Sequence, residues 1–217
     1  DFGGEVERIL QMVDGVLLLV DAFEGCMPQT RFVLKKALAL NKKAVVVVNK
    51  IDRPMARPYE VVDEVLDLFI ELGADEEQIE FPVVFASGRD GYASFSPDIK
   101  GEDMRPLFDA IVKEIDPPEG DKQAPLQVLF TNIEYDEYTG RLAIGKIERG
   151  KISSNSNVTI ARKDGEITKG KISQLYTYEG LKKTPCSEAS AGEIVCIAGI
   201  GDINIGETIG SEEGVEA

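Results

Sequence analysis

The sequence predicts a mixed α/β domain built on a parallel sheet, followed by a small antiparallel β-barrel. Three apolar runs in the first half of the chain lack in/out alternation and are separated by helical patterns. Such runs fit strands that are covered on both faces, and their alternation with helices favours right-handed crossovers in a parallel sheet. After a proline-rich linker, short β-branched segments are separated by glycines, which is typical of a barrel.

The first domain is expected over residues 1–120. Apolar residues recur at helical spacing between its apolar runs, and a proline stands where two of the helices would begin. The elements alternate strand and helix, and in chain order they are Gly15–Asp21, Pro28–Leu40, Ala44–Asn49, Pro58–Leu72, Pro82–Ala86 and Asp103–Ile115. Ligands of such sheets bind beyond the carboxyl ends of the strands, so the residues just after each strand matter most.

A turn-rich linker, Asp116–Asp121, separates the two predicted domains. Its consecutive prolines end the preceding helix and favour an extended backbone. The second domain is expected over residues 124–217. Its strands are predicted at Leu126–Thr131, Arg141–Glu148, Asn157–Arg162, Glu166–Tyr176 and Glu193–Ala198.

The composition excludes several kinds of chemistry. The chain has 217 residues, a formal net charge of -15 and no histidine, so it holds no Ser-His or Cys-His pair and no His-ligated zinc. Its three cysteines form no CxxC pair, which is typical of reduced thiols. No apolar run reaches the ~18 residues of a membrane span. The acidic balance argues against broad attraction to nucleic acid. We therefore expect a cytoplasmic protein with no membrane or DNA partner.

The strongest functional signal is Asn49-Lys50-Ile51-Asp52, directly after the valine-rich run. An Asp carboxylate can accept hydrogen bonds from both N1–H and the exocyclic amine of guanine, whereas adenine offers no such pair of donors. The Asn amide can both donate and accept, and the Lys stem can lie on the flat face of the base. The alternative is a solvated turn with ordinary charges. The pattern and its place at a strand end favour guanine binding.

A second element, Ser87-Gly88-Arg89, follows the next predicted strand. The Ser hydroxyl can orient Asp52, the Gly88 N–H can point at the guanine O6, and the Arg89 stem can cover the other face of the base. Taken alone, the pattern is more often a simple turn. Its position beside the first element, on a neighbouring parallel strand, favours base binding.

A phosphate-binding loop is absent from the sequence. A nucleotide hydrolase of this fold needs a loop of the form G-x-x-x-x-G-K-[ST], and the Gly-Lys pairs at 145, 150 and 170 are each followed by Ile. The opening Asp1-Phe2-Gly3-Gly4 matches both D-x-x-G and D-F-G, but no strand pattern precedes it and no kinase motif follows. We expect this chain by itself to carry no catalytic residue and to be inactive in nucleotide hydrolysis.

These segments resemble the BipA/TypA family of bacterial translational GTPases over nearly the whole chain. The stretch Asn49–Pro54 matches the family's guanine-specificity motif. Asp1–Arg8 is similar to the family's switch II segment, and Asp21–Gly25 is similar to the stretch that follows this switch. Gly140–Gly150 resembles domain II of translation factors. Gly199–Gly206 favours BipA/TypA over the alternatives, which are the LepA-type and elongation factor G-type relatives.

The resemblance implies a partial G domain of the P-loop type, without its phosphate-loop half, joined to domain II. It implies a GTPase that binds GTP or GDP with Mg²⁺ and acts on the ribosome in translation regulation, large-subunit assembly, and adaptation to stress or cold. Ser87-Gly88 stands where the family usually has Ser-Ala, and glycine keeps the backbone donor. The Mg²⁺ ligands and the catalytic His are expected upstream of Asp1.

The resemblance also suggests two surfaces that face ribosomal RNA. Gly3–Glu5 would belong to the switch region that faces the large subunit. Lys146, Arg149 and Lys151 form a basic cluster that would meet phosphates of the small subunit. The alternatives are solvated turn lysines and a non-catalytic module that binds the ribosome or its RNA. An unrelated α/β enzyme is the least favoured interpretation.

The strand at Val16–Val20 is expected to have one unpaired edge. In the resembled fold this edge pairs with the phosphate-loop strand, which the sequence does not contain. An unpaired apolar edge is a risk for aggregation or strand swapping. We therefore expect that the sequence is part of a longer chain or that a partner covers this edge.

Overall fold

The computed structural model describes residues 3–211 and residue 215. The chain divides into two compact units between Pro117 and Pro118, and each unit is described by itself. Asp1 and Phe2, which open the predicted switch segment, lie outside the described residues. In the described part of the chain, no helix is long and apolar enough to cross a membrane.

A four-stranded sheet in the order β1-β2-β3-β4 forms the centre of the described part of the first unit. The first three strands are parallel, as predicted, and the fourth runs antiparallel to β3. The antiparallel strand was not predicted, because it has only three residues and follows a short turn. The strands are β1 (Gly15–Asp21), β2 (Lys43–Asn49), β3 (Val83–Ser87) and β4 (Tyr92–Ser94).

Five helices accompany the sheet in the residues described. α2 and α3 each begin at a proline, where the missing N–H leaves no helical hydrogen bond unmade. α1 lies in the segment that sequence analysis assigned to a switch without predicting its secondary structure, and it buries Leu10. The helices are α1 (Gly3–Met12), α2 (Pro28–Ala39), α3 (Pro58–Glu71), α4 (Glu76–Ile79) and α5 (Arg105–Glu114).

Both faces of β2 are covered, which explains its unbroken run of valines. Val46 and Val48 belong to a core cluster that also contains residues of α2 and α3. Val45 and Val47 belong to a second cluster, with residues of α5 on the other side of the sheet. Because neither face of such a strand is exposed, the side chains on both faces are apolar and no alternation with polar residues appears. The apolar run therefore correctly predicts a covered parallel strand.

β1 is an edge strand of this sheet, and in the described residues it pairs with β2 alone. Leu18 and Val20 are buried in the cluster that includes α2 and α3. Leu17 and Leu19 point to the other face because side chains alternate along a strand, and they are 39% and 58% exposed. The strand therefore presents both an unpaired edge and two exposed leucines.

The second unit is a β-barrel, which confirms the predicted fold class. Its described strands form a sheet in the order β11-β10-β13-β6-β5-β14-β8-β9 and a ribbon of β12 with β7. Apolar residues from most of these strands form one core cluster. The strands are β5 (Gln127–Asp136), β6 (Gly140–Arg149), β7 (Lys151–Ser153), β8 (Asn157–Ala161), β9 (Ile167–Lys171), β10 (Gln174–Glu179), β11 (Lys182–Pro185), β12 (Glu188–Ser190), β13 (Ile194–Ala198) and β14 (Thr208–Gly210).

The single strand predicted over Glu166–Tyr176 is wrong, because the chain bends there and forms two strands. β9 pairs with β8, whereas β10 pairs with β13. At the bend, Ile172 is fully buried and the Ser173 N–H donates to the Ala198 carbonyl at 2.9 Å. The bend links β9, at one end of the eight-stranded order, to β10, which is next to the last strand at the other end, so the sheet curves around the core.

Gly145 on β6 lies against the backbone of the neighbouring strand. A Cβ atom at this position would come within 2.2 Å of the Leu129 carbonyl oxygen. We therefore expect Gly145→Ala to destabilise the barrel by about 1–3 kcal/mol, because the strands must separate to admit the methyl group. Urea unfolding followed by tyrosine fluorescence measures the change.

Gly201→Ala is the matched control in the same unit. An added Cβ at Gly201 meets no heavy atom within 4 Å. We expect this variant to unfold within about 0.5 kcal/mol of the parent chain, as surface substitutions usually do. Equal free energies of unfolding for the two variants would show that the close backbone contact at Gly145 does not matter for the stability of the barrel.

Candidate functional site

The parallel register brings the predicted binding residues to one edge of the sheet. Asp21, the last residue of β1, is paired in register with Asn49, the last residue of β2. Asn49 is in turn aligned with Ala86 on β3, one residue before Ser87. The segments 49–52 and 87–89, which are 35 or more positions apart in the sequence, are therefore neighbours at the carboxyl ends of the strands.

Asn49 joins the two loops of the site. Its Oδ1 accepts hydrogen bonds from the Gly88 N–H at 2.9 Å and from the Lys50 N–H at 2.8 Å. The Gly88 donor, which sequence analysis expected to face a base, is thus used within the chain. The Ile51 N–H donates to the Ala86 carbonyl at 3.3 Å, and the Ile51 side chain packs against the core. Asn49 and Ile51 thus hold the loops in place.

Lys50 is held by Asp21, the last residue of the neighbouring strand. The Lys50 backbone lies in the left-handed region, with φ at 67°. Its Nζ donates to Asp21 Oδ2 at 2.6 Å, and Arg53 approaches the same oxygen at 3.8 Å. The sequence places Asp21 at a strand end but does not reveal its ion pair with Lys50. The signal was an acid and a lysine at the ends of two neighbouring strands.

Asp21 is a strongly acidic carboxyl. Burial opposes its ionisation, but the hydrogen bond from Lys50 and the backbone N–H groups of Phe23 and Glu24 outweigh burial and lower its pKa to about 2. A carboxyl whose pKa is lowered in the folded state adds stability above its ordinary pKa of 3.8. This contribution is lost as the pH falls from about 4 towards 2.

Asp52, the predicted base-reading residue, is nearly buried and is already paired. Its side chain is 10% exposed, and its Oδ2 lies 2.9 Å from Arg89 Nη2. Arg89 is 75% exposed and also donates from Nε to Asp90 at 2.9 Å. The carboxylate is therefore largely shielded from water and has a guanidinium against one of its oxygens.

Ser87 supports the second loop and makes no hydrogen bond to Asp52 in the described residues. It is fully buried, and its Oγ accepts from the Asp90 N–H at 3.2 Å. Its carbonyl accepts from the Gly91 N–H at 2.9 Å. The expected orientation of Asp52 by this hydroxyl is therefore replaced by closure of the turn that carries Arg89.

The residues expected to face the ribosome lie on other elements. Gly3–Glu5 forms the first turn of α1 in the first unit. Lys146 and Arg149 belong to β6 in the barrel, and Lys151 begins β7. Lys151 lies 3.7 Å from Glu188 on the paired strand, so part of the predicted basic cluster is neutralised locally. Among the residues that the structure describes, no group of three or more acids or cysteines can hold a metal ion.

Comparison with protein families identifies the first unit. The family model of the elongation factor Tu GTP-binding domain matches residues 1–117, more than half of the chain. The chain belongs to the elongation factor Tu GTP-binding domain family. A second model, elongation factor Tu domain 2, matches residues 140–210 of the barrel. The edge that carries Asp52 therefore belongs to a GTP-binding domain of the elongation factor Tu family.

Several curated proteins are similar to this member of the family along almost the whole chain. A protein of Synechocystis named "Large ribosomal subunit assembly factor BipA" is 54% identical over 96% of this chain. Proteins of the same name from Bacillus subtilis and Haemophilus influenzae are 52% and 50% identical over 96% and 100% of it. The chain covers 35%, 34% and 35% of these relatives, so it spans about a third of their length.

A solved structure shows the same fold at low sequence identity. Translation elongation factor SelB from Methanococcus maripaludis, in complex with the GTP analogue GppNHp, matches with a TM-score of 0.70. It covers 96% of this chain and 43% of its own, at 16% identity. The sheet and the barrel thus share the fold of this structure.

The Lys50 interaction predicts how Asp21 titrates. In Lys50→Met, we expect the pKa of Asp21 to rise from about 2 towards its ordinary value of 3.8, because the strongest favourable partner is gone. A carboxyl-carbon NMR titration measures the midpoint. Lys113→Met is the control, since Lys113 pairs with Glu114 and not with Asp21. An unchanged Asp21 midpoint in Lys50→Met would contradict the assignment.

Proposed function

We propose that this chain is the base-reading part of the G domain, together with domain II, of a translational GTPase of the BipA type. The observation that carries the proposal is the meeting of two loops at one sheet edge, with the nearly buried carboxylate of Asp52 between them. The first part is assigned to residues 1–120, and domain II to residues 124–217. The GTP-binding family of the first part supports this assignment.

Asp52 is the residue that would select the base. Its two carboxylate oxygens match the N1–H and the exocyclic amine of guanine, and its low exposure means that an unpaired carboxylate would be costly. Adenine would leave this acid without donors, so the site favours guanine. The Lys50 stem would lie on one face of the base and the Arg89 stem on the other. Asn49, Ile51, Ser87 and Gly88 would hold the two loops at the correct spacing.

The remaining roles are assigned to the intact protein. It would bind GTP or GDP with Mg²⁺, hydrolyse GTP and act on the ribosome in the cytoplasm. The relatives named as large ribosomal subunit assembly factors support the ribosomal role. Contacts with RNA of both subunits are proposed at Gly3–Glu5 and at the basic cluster. The phosphate loop, the Mg²⁺ ligands and the catalytic His are expected outside the 217 residues.

The base preference tests the role of Asp52. In Asp52→Asn, we expect affinity for GDP to fall by about tenfold and affinity for XDP to exceed it, because an amide can donate to the 2-oxo group of xanthine. ¹⁵N NMR titrations of the 217-residue chain with GDP, XDP and ADP measure the three affinities.

Asp67→Asn is the matched control for this experiment. Asp67 is an exposed acid on α3, so the variant removes the same charge away from the loops of the site. Its preference for GDP is expected to equal that of the parent chain. If Asp52→Asn retains this preference too, the carboxylate does not read the base.

The proposed contact of the barrel with RNA predicts a change in salt dependence. In Lys151→Ala, we expect weaker cosedimentation with small ribosomal subunits and a slope of log K against log[salt] that is smaller by about 1, as for one lost phosphate contact. Lys169→Ala, which alters an exposed lysine on β9, is the control. Identical slopes for the two variants would remove Lys151 from the interface.

The effect of nucleotide on ribosome binding separates the proposal from its alternative. A translational GTPase binds the ribosome differently in its GTP and GDP states. Equal binding with GTP, with GDP and without nucleotide would favour a non-catalytic module that uses the barrel alone.

A further inference from the structure

Arg89 contacts the carboxylate of Asp52, which the proposed site would use to recognise guanine. Its Nη2 lies 2.9 Å from Asp52 Oδ2. The guanidinium also meets Asp90, with Nε at 2.9 Å and Nη2 at 3.2 Å from the two carboxylate oxygens. One planar cation thus bridges two acids at the place where a base would bind.

The guanidinium brings a positive charge and one nitrogen, Nη2, to the carboxylate that would accept from guanine. Its two side-by-side donors, Nε and Nη2, are hydrogen-bonded to Asp90. Nη2 of Arg89 lies against Oδ2 of Asp52, so guanine cannot place an N–H donor at that position while Arg89 stays there. Binding of the base and the Arg89–Asp52 pair therefore exclude each other.

The Arg89–Asp52 ion pair can break without leaving Arg89 unpaired. Arg89 is 75% exposed and follows Gly88 in a turn, whereas Asp52 is 10% exposed. An arginine that leaves Asp52 still has Asp90 as a partner, so its charge stays compensated. Only the cation of this pair is exposed, so water and salt screen the pair more than they would a fully buried one.

We propose that Arg89 is an internal competitor of the guanine base. Without a base, Arg89 pairs with the Asp52 carboxylate, and its side chain must move away from Asp52 for the base to bind. This inference rests on the proposed guanine site and adds a regulatory step to it. The apparent affinity for guanine is reduced in proportion to the fraction of molecules in which Asp52 is paired with Arg89. Removing the competitor therefore strengthens base binding.

Neutral guanosine is the appropriate probe, because it carries no phosphate whose own salt dependence would obscure the result. ¹⁵N NMR titrations of the 217-residue chain compare the parent with Arg89→Met, which keeps an unbranched stem and loses the charge. At low salt we expect Arg89→Met to bind guanosine about two- to fivefold more tightly, the range expected for an ion pair whose cation is mostly exposed. As salt rises, the parent is expected to approach the variant, which stays constant.

Arg105→Met is the matched control. Arg105 forms an exposed pair with Asp103 at 3.0 Å, outside the two loops of the site. Its affinity for guanosine and the salt dependence of that affinity should equal those of the parent. Adenosine should show no gain in Arg89→Met.

Two outcomes separate the inference from the function on which it rests. If guanosine binds the parent and Arg89→Met equally, or binds the variant more weakly, Arg89 is not a competitor and the guanine site stands. If guanosine perturbs no resonance of Asp52 or its loop in the parent or in Arg89→Met, the proposed base site fails, and this inference fails with it.

Discussion

The parallel register of three strands is the constraint on which the proposed site depends. Asp21, Asn49 and Ala86 end up side by side only because β1, β2 and β3 run in the same direction and are aligned residue by residue. β2 is the central member, and its valines are buried on both faces. A shift of one residue would turn every side chain of β2 to the opposite face, so the two cores also fix the position of the loop that carries Asp52.

Charged side chains at this edge compensate one another. Asp21 holds Lys50, and Arg89 holds Asp52, so each residue proposed to touch the base already has a partner of opposite charge. Nearly buried acids require such partners, because an unpaired carboxylate in this setting is costly. The low pKa of Asp21 is the electrostatic result of the same arrangement.

Sequence patterns predicted the strands better than the partnerships at their ends. The covered strand at Lys43–Asn49 and the Asn-Lys-x-Asp motif after it follow from local composition, which the sequence displays directly. The bend at Ile172 was missed because it depends on which distant strands pair with each half of a continuous β-rich segment. The Ser87 hydroxyl was assigned to the wrong partner for a similar reason, since the turn that brings the Asp90 N–H to it is set by tertiary structure.

In the proposed site, the physical requirement that would make Asp52 selective for guanine also explains its contact with Arg89. Selectivity for guanine needs a carboxylate that is poorly hydrated. A well-hydrated carboxylate would keep hydrogen bonds to water when adenine binds, so the free-energy cost of binding the wrong base would be small. A poorly hydrated carboxylate is destabilising whenever the base is absent. An exposed arginine on the adjacent loop compensates the charge of the carboxylate, and because its own side chain is exposed it can leave when a base binds. The proposed base selectivity and the Arg89 contact would therefore both follow from the low exposure of Asp52.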